Sequence, residues 1–281
     1  MTAVADRDAV LEVPRRIVSL VPSLTELAAR VGATDRIVGV TDWCRDGAPV
    51  RARRVGGTKT PRRPDIAALR PDLVLANAEE NRGEDLAWLR DRGLPTLVTF
   101  PRRVSDVPAM VRTVARAVGG DGEGLAAALE AELAAPPPAG EQRALMLVWR
   151  KPWIAAGADT YVSDLMEAAG LRNALAEVLG PSERWPRIDA HVVADAGAQV
   201  VLLPSEPYAF GLDDLPAVAQ LCGDVPTRFI DGQAVTWHGP RTLDGLRELR
   251  GIARELTGEG AGGVAGGDAA TAPEEGRGEE G

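Results

Sequence analysis

The residue types behind most enzyme and metal chemistry are scarce in this chain of 281 residues. There are two histidines, His191 and His238, and two cysteines, Cys44 and Cys222, which are far apart and lack CxxC spacing. Neither a three-histidine metal site, nor a zinc ribbon, nor a disulfide framework can be built from them. The GxSxG, HExxH, DFG and GxxxxGK[ST] motifs are absent as well. The sequence therefore predicts no bound metal and no intrinsic cofactor.

Two short motifs leave weak alternatives open. Residues 56–59 (GGTK) look like a fragment of a phosphate-binding loop, but the spacing and the following helix are missing, so a glycine-rich turn is the simpler interpretation. Glu79 and Glu80 are sequence neighbours whose side chains would diverge in an extended loop. An acid–base pair is therefore a minor alternative for them.

Tryptophan is the more informative residue type, since it supplies six of the eleven aromatic side chains. Trp88 lies inside a predicted helix and is assigned to the core. The other five lie at predicted strand ends or in loops beside glycine or proline: Trp43, Trp149, Trp153, Trp185 and Trp237. Large flat apolar side chains at the mouth of a cleft suit a planar ligand. The alternative for each of them is packing of a loop onto its own lobe.

Arginine and lysine cluster between residues 45 and 70, where eight cations face only two acids. Such a cluster either attracts an anionic ligand or forms an ordinary solvated loop. Arg241, which precedes a predicted helix, is a separate candidate for a ligand carboxylate or phosphate.

Composition excludes several classes of protein. A chain of this length with 45% hydrophobic residues can bury a real core, and it has no apolar run long enough to cross a membrane as a helix. The net charge of −9 argues against nucleic-acid binding, which needs a broad basic face.

Short apolar runs alternate with helical patterns, as in parallel sheets that are covered by helices on both faces. We predict strands at residues 16–21, 36–40, 73–76, 96–100, 144–149, 200–203 and 228–230. We predict helices at residues 23–31, 65–70, 84–92, 106–118, 125–135, 161–169, 190–196, 214–221 and 240–256.

The pattern divides the chain at the proline run 136–138. We predict an N-terminal α/β lobe at 15–120, a bridging helix and proline-rich linker at 121–140, and a C-terminal α/β lobe at 141–257. Residues 258–281 hold nine glycines, six acids and no large apolar side chain, which predicts a disordered tail.

The two halves also echo each other. A constant offset of 127 residues pairs 64–79 with 191–206, sets two apolar runs side by side and matches Glu79 with Glu206. Either the apolar runs match by chance, or two similar lobes face one another with a ligand in the cleft between them.

Ten short segments, in this order, resemble the cobalamin and ferric-siderophore binding proteins of ABC importers. More narrowly they resemble the helical backbone metal receptors, whose fold is that of class III periplasmic binding proteins. The segments are 16–27 (RIVSLVPSLTEL), 32–35 (GATD), 38–41 (VGVT), 55–59 (VGGTK), 69–77 (LRPDLVLAN), 149–153 (WRKPW), 157–161 (GADTY), 184–187 (RWPR), 205–208 (SEPY) and 237–241 (WHGPR).

This resemblance implies an α/β fold with two Rossmann-like lobes, whose parallel sheets are joined by a bridging helix that limits cleft closure. It also implies a ligand in the cleft, which would be a ferric siderophore, haem or cobalamin. Cobalamin binders carry tryptophan at the positions of Trp185 and Thr58, so Thr58 departs from their pattern. We expect the following side chains to line the cleft: Ser23, Thr58, Lys59, Trp149, Trp153, Trp185, Glu206, Tyr208, Trp237 and Arg241.

The same family resemblance makes docking on an ABC permease doubtful. The family docks through one glutamate per lobe, and these positions are Pro64 and His191 here. Proline carries no charge, and histidine is neutral or cationic near neutral pH, so neither attracts an arginine of the permease. Asp65 and Asp189 are the adjacent alternatives.

The first sixteen residues contain three acids, no apolar run and no cysteine, so we expect neither a signal peptide nor a lipid attachment site among them. As written, the chain is expected to be a cytoplasmic monomer. The leading hypothesis is a non-enzymatic receptor for a metal chelate. The alternatives are a cytosolic enzyme that acts on a corrinoid-like cofactor with the same scaffold, and an interaction protein with a vestigial cleft.

Overall fold

Strands and helices alternate through both halves of the chain in a computed structural model, which describes residues 12–180 and 182–258. The first half contains β1 (Ile17–Ser19), α1 (Pro22–Arg30), β2 (Ile37–Val40), β3 (Arg53–Arg54), α2 (Arg63–Ala68), β4 (Leu73–Asn77), α3 (Gly83–Asp91), β5 (Thr96–Thr99), α4 (Val107–Ala117) and α5 (Glu123–Ala134). The second half contains β6 (Gln142–Trp149), β7 (Ile154–Ala155), α6 (Tyr161–Ala168), β8 (Leu171–Asn173), α7 (Ala190–Ala196), β9 (Val200–Pro204), α8 (Leu215–Cys222), β10 (Thr227–Ile230), α9 (Gly232–Thr236) and α10 (Thr242–Thr257). Short 3-10 turns lie at Thr34–Arg36, Val104–Asp106 and Leu212–Asp214.

Each of the seven predicted strands and nine predicted helices is present, with ends displaced by at most two residues. The elements that the sequence did not predict are β3, β7, β8 and α9, which are two to five residues long and too short for a periodic pattern. The predicted tail lies outside the described residues, apart from Gly258.

The two sheets share one strand order. The first runs β3-β2-β1-β4-β5 with every pair parallel. In the second, β8, β6, β9 and β10 lie side by side in parallel, which is the order of β2, β1, β4 and β5. The short β7 is the exception, since it pairs antiparallel with the end of β6. The predicted fold class, two Rossmann-like lobes with parallel sheets, is confirmed, and the shared order supports the 127-residue echo.

The central strands are buried on both faces, which explains their continuous apolar runs. In β9, Val200 and Leu202 point into a core that includes residues of both lobes, whereas Val201 and Leu203 point to the outer face of the second sheet. In β1, Val18 packs on the outer face of the first sheet. Successive side chains of a strand alternate between faces, so each strand contributes to two layers. The lobes are therefore joined by a continuous apolar core.

Helices α4, α5 and α10 lie near the junction of the lobes. In α4 the predicted apolar face is buried, with Val107, Val111 and Val114 fully enclosed. Helix α5 packs against α4 and also contacts α10 from the second half. Its twelve residues span about 18 Å. Arg250 of α10 reaches back to Glu132 of α5 with an Nη1–Oε1 distance of 2.7 Å.

None of the helices in the described part of the chain is both long and apolar enough to cross a membrane.

Candidate functional site

The carboxyl ends of β4 and β9 place acidic residues at the opening between the lobes. Glu79 and Glu80 follow β4, and Glu206 follows β9 in the other sheet. Side-chain bonds cross between the lobes here, since Arg184 Nη2 donates to Glu79 Oε1 at 2.7 Å. Ligands of open parallel sheets bind beyond the carboxyl ends of the strands, so this cleft is the candidate site.

The turn after β4 is held by two buried asparagines. Asn77 Oδ1 accepts hydrogen bonds from the backbone N–H groups of Glu79 and Glu80, at 2.8 and 3.2 Å. Asn81 Oδ1 accepts from the Asn77 N–H at 2.9 Å, and Asn81 Nδ2 donates to the Thr58 carbonyl at 3.1 Å. These hydrogen bonds fix the backbone conformation at both glutamates and connect this turn to the loop that carries Thr58.

That neighbouring loop carries Thr58 and Lys59. Gly56 has φ +96°, and a Cβ there would lie 2.7 Å from the Thr60 carbonyl, so the turn requires glycine. Lys59 Nζ donates to the Glu79 carbonyl at 2.5 Å. Trp43 is 62% exposed, and its Nε1 would lie 3.5 Å from a Cβ on Gly57. An accessible indole therefore lies against the same turn.

The second lobe contributes Glu206 and Trp237. Trp237 Nε1 donates to Glu206 Oε1 at 2.5 Å, and the Thr236 hydroxyl donates to the same oxygen at 3.4 Å. The following residue, His238, is 9% exposed and packs its ring edge-on against Tyr161 at 4.4 Å. Burial lowers the pKa of His238 to about 4, against the opposing effect of Glu79, so the imidazole is neutral.

The loop that carries Trp185 packs against Gly157. A Cβ on Gly157 would lie 1.9 Å from the Glu183 carbonyl, so only glycine fits there. The preceding residue, Arg184, reaches Glu79 across the cleft and also lies 3.4 Å from Asp159. Trp185 itself is 41% exposed. Its indole is therefore available to a ligand at the mouth of the cleft.

Arg241 holds the lobes together. Its Nε donates to Glu26 Oε2 at 2.7 Å and its Nη2 to Asp46 Oδ2 at 2.8 Å, and both acids belong to the first lobe. Burial lowers its pKa, but the hydrogen bond with Glu26 and the charges of Glu26, Asp46 and Asp231 together outweigh this, and the net pKa is raised. The guanidinium lies 5.1 Å from the Trp237 ring centroid. The side chain expected to bind a ligand carboxylate is therefore engaged by protein carboxylates.

Trp149, Trp153 and Tyr208 form a second aromatic group together with Phe210. The rings of Trp149 and Tyr208 meet edge-on at 5.7 Å, and those of Trp153 and Phe210 stack at 6.4 Å. The Tyr208 hydroxyl donates to Asp214, and the pKa of that carboxyl is lowered chiefly by the Gly211 N–H. Trp149 is 41% exposed, whereas Trp153 packs against the core of its own lobe.

Ser23 is buried at the start of α1 and presents little surface. Two small pockets lie outside the cleft. One of 340 Å³ is formed by the C-terminal ends of α7 and α8, which precede β9 and β10 and so lie at the opposite edge of the sheet. The other, of 220 Å³, lies beside β5. Within the described ranges, no three His, Cys, Asp or Glu side chains converge as a metal site.

A family model described as "Periplasmic binding protein" matches residues 17–215. The chain belongs to this family. The match covers the whole first sheet and β6 to β9 of the second.

Relatives of this periplasmic binding protein include named receptors. It is 24% identical over 253 residues, or 84% of this chain and 79% of the relative, to the uncharacterized ABC transporter substrate-binding lipoprotein YvrC of Bacillus subtilis. It is 24% identical over 247 residues, or 84% and 87% of the two chains, to the vitamin B12-binding protein of Pectobacterium carotovorum. The apo structure of the periplasmic heme-binding protein RhuT from Roseiflexus sp. RS-1 has a TM-score of 0.73 at 28% identity, covering 85% and 97% of the chains. These relatives are binding proteins by name.

The structure brings Thr58, Lys59, Glu206 and Trp237 of the predicted site around one opening. It adds Trp43, which the sequence had suggested for a planar ligand but which was not among the expected cleft residues. It also adds side chains that were not expected in the cleft: Glu79, Glu80, Arg184 and His238. The echo between Glu79 and Glu206 was a usable signal, because it put both acids after equivalent strands. For Arg184, no sequence signal indicated the pairing with Glu79, which is 105 residues away along the chain.

Proposed function

We propose that this periplasmic binding protein is a receptor for a metal chelate, a ferric siderophore, haem or a corrinoid, held in the cleft between its lobes. The observation that carries the proposal is the exposure of two indoles beside the cleft: Trp43, which lies against the turn of Thr58 and Lys59, and Trp185, which follows Arg184. Trp149 is also exposed, at the end of β6. Exposed tryptophan offers a large contact area at low entropic cost, which suits the flat face of a macrocyclic chelate. The names of the heme-binding and vitamin B12-binding relatives support this class of ligand.

We propose a binding role rather than a catalytic one. Hydrogen bonds fix two of the acids in the cleft, since Arg184 donates to Glu79 and Trp237 to Glu206. His238 is shielded by Tyr161 and neutral. This arrangement supports a rigid recognition surface.

Tryptophan fluorescence tests the proposal. Cyanocobalamin, haemin and several ferric siderophores are titrated against the protein, and at least one class should quench emission saturably. Trp185→Ala should weaken binding about tenfold, as for a well-packed aromatic contact. Trp88→Phe is the matched control, because Trp88 lies on α3 beneath the Arg92 guanidinium at 4.2 Å. If no chelate quenches the protein saturably, the proposal is wrong.

We also propose that docking on a permease does not use the acidic pair implied by the family resemblance. Pro64 and His191 occupy those positions, and the neighbouring acids are engaged. Asp65 accepts from Arg53 and Arg62 at 2.8 Å each, and the hydrogen bond from Arg62 lowers its pKa. Asp189 caps α7 by accepting from the backbone N–H of His191.

Co-purification with a reconstituted ABC permease is the test of this docking proposal. Binding that is lost in the Asp65→Ala, Asp189→Ala double variant would contradict it. Unchanged binding, or none, agrees with it.

A further inference from the structure

The charge at the centre of the cleft is negative. Glu79 and Glu80 face it from the first lobe and Glu206 from the second. The nearby cations already have partners, since Lys59 donates to the Glu79 carbonyl and Arg184 to the Glu79 carboxylate. Arg184 also contacts Asp159. A ligand anion that enters the cleft would therefore have to compete with protein carboxylates and carbonyls for the same cations.

Glu80 is the third acid of this group. Part of its side chain is accessible to solvent, but the surrounding protein displaces water from it, and this is the main reason that its pKa is raised. The charge of Lys59 lowers the pKa, whereas the charges of Glu79 and Glu206 raise it. Across residues 12–180 and 182–258, no arginine or lysine nitrogen lies within 4 Å of the Glu80 carboxylate.

Glu206 offers a defined acceptor next to an indole. Both of its hydrogen bonds, from Trp237 and Thr236, end on Oε1. In the described part of the chain, its Oε2 has no hydrogen-bond partner. A carboxylate oxygen held in this way accepts an N–H from a ligand well, and the resulting bond is charge-assisted.

We propose that the cleft selects neutral or cationic chelates whose rim carries amide or ammonium N–H donors, with Glu80 and Glu206 as the residues that determine this specificity. The inference rests on the proposed chelate-binding function and narrows it. Chelates that present carboxylates or catecholates at their rim are rejected, because a desolvated anion beside an unpaired carboxylate is unfavourable.

Two matched pairs of probes test the inference by fluorescence quenching. The first is cyanocobalamin against its derivative with ring amides hydrolysed to carboxylates, which keeps the macrocycle and changes the charge. The second is the cationic trihydroxamate ferrioxamine B against a ferric tris-catecholate. In whichever pair binds, the amide or ammonium member should bind at least about tenfold more tightly. The ratio should shrink as salt is raised, because charge discrimination is screened.

Glu80→Gln should reduce that ratio about fivefold, as expected for removal of one charge in a partly solvated cleft. Glu167→Gln is the matched control, since Glu167 is exposed on α6 and the same charge is removed outside the cleft. The control should keep the wild-type ratio.

The outcomes separate the two proposals. Binding of the anionic member as tightly as its partner, a ratio unchanged by Glu80→Gln, or tight binding of haemin, whose rim carries two propionate carboxylates, overturns the charge selection and leaves the receptor function standing. Failure of every probe, together with haemin, overturns the receptor function and the selection with it.

Discussion

The buried histidine makes the stability of this protein depend on pH in a defined direction. His238 is neutral in the folded state because burial lowers its pKa from 6.5 to about 4. Above pH 6.5 the imidazole is neutral in both the folded and the unfolded chain, and it contributes no pH dependence. As the pH falls below 6.5 the unfolded chain binds a proton that the folded chain cannot bind, so stability is lost down to about pH 4.

The size of the loss follows from the two pKa values. The difference between a pKa of 6.5 in the unfolded chain and about 4 in the folded chain corresponds to a loss of about 3 kcal/mol in the free energy of unfolding, at about 1.4 kcal/mol per pH unit. At pH 5 the loss is about 2 kcal/mol. With a urea m-value of about 2 kcal/mol/M, the unfolding midpoint falls by about 1 M between pH 7.5 and pH 5.

Urea unfolding of three proteins at these two pH values measures this loss. Since the lobes share a core, one transition reports on both. His238→Phe keeps a ring against Tyr161 and removes the titration, so its midpoint should fall by about 1 M less than that of the wild type. His191→Asn removes the exposed histidine and should behave like the wild type. Carboxylates titrate equally in all three. If His238→Phe loses as much stability as the wild type, the assignment of the loss to His238 is refuted.

Three further results are expected. Gly157→Ala forces a Cβ to within 1.9 Å of the Glu183 carbonyl, so it should lower the free energy of unfolding by about 1–3 kcal/mol and also weaken chelate binding. Arg250→Met removes a buried arginine from its partly buried partner Glu132 and should lower the free energy of unfolding by about 3 kcal/mol, whereas Arg247→Met at a 63% exposed arginine on the same acid should lower it by less than about 1 kcal/mol. Small-angle scattering should show little change in radius of gyration on chelate binding, because a shared core joins the lobes; a large decrease would contradict this.

The order of the elements was readable from local pattern. In α4 the spacing of Val107, Val111 and Val114 marks one buried face, and in β9 the unbroken run 200–203 marks a strand covered on both sides. Both signals arise because burial repeats with the geometry of the element itself. Elements of two to five residues, such as β3 and α9, gave no such signal, since a helix of fewer than two turns shows no repeat and a short strand depends on its neighbour.

The candidate site was predictable only in part. Thr58, Lys59, Glu206 and Trp237 could be placed near the cleft because they follow strands or belong to motifs of the family. Trp153 has the same sequence character as Trp149, yet it packs inward. The difference lies in the partner ring that each indole meets, which sequence spacing does not specify.

By itself, the sequence determined that the chain is a two-lobed α/β protein with a repeated strand order, because hydrophobic periodicity and the motif series are local properties. The tertiary structure alone decided which charges are available to a ligand. Arg241 has the features of an anion receptor in the sequence, but Glu26, 215 residues away, neutralises it across the lobes. Glu80 looks like one of many surface acids, but the approach of Glu79 and Glu206 makes it part of an acidic surface. Electrostatic interaction depends on distance in space and on exclusion of water, and both are set only when the two lobes come together.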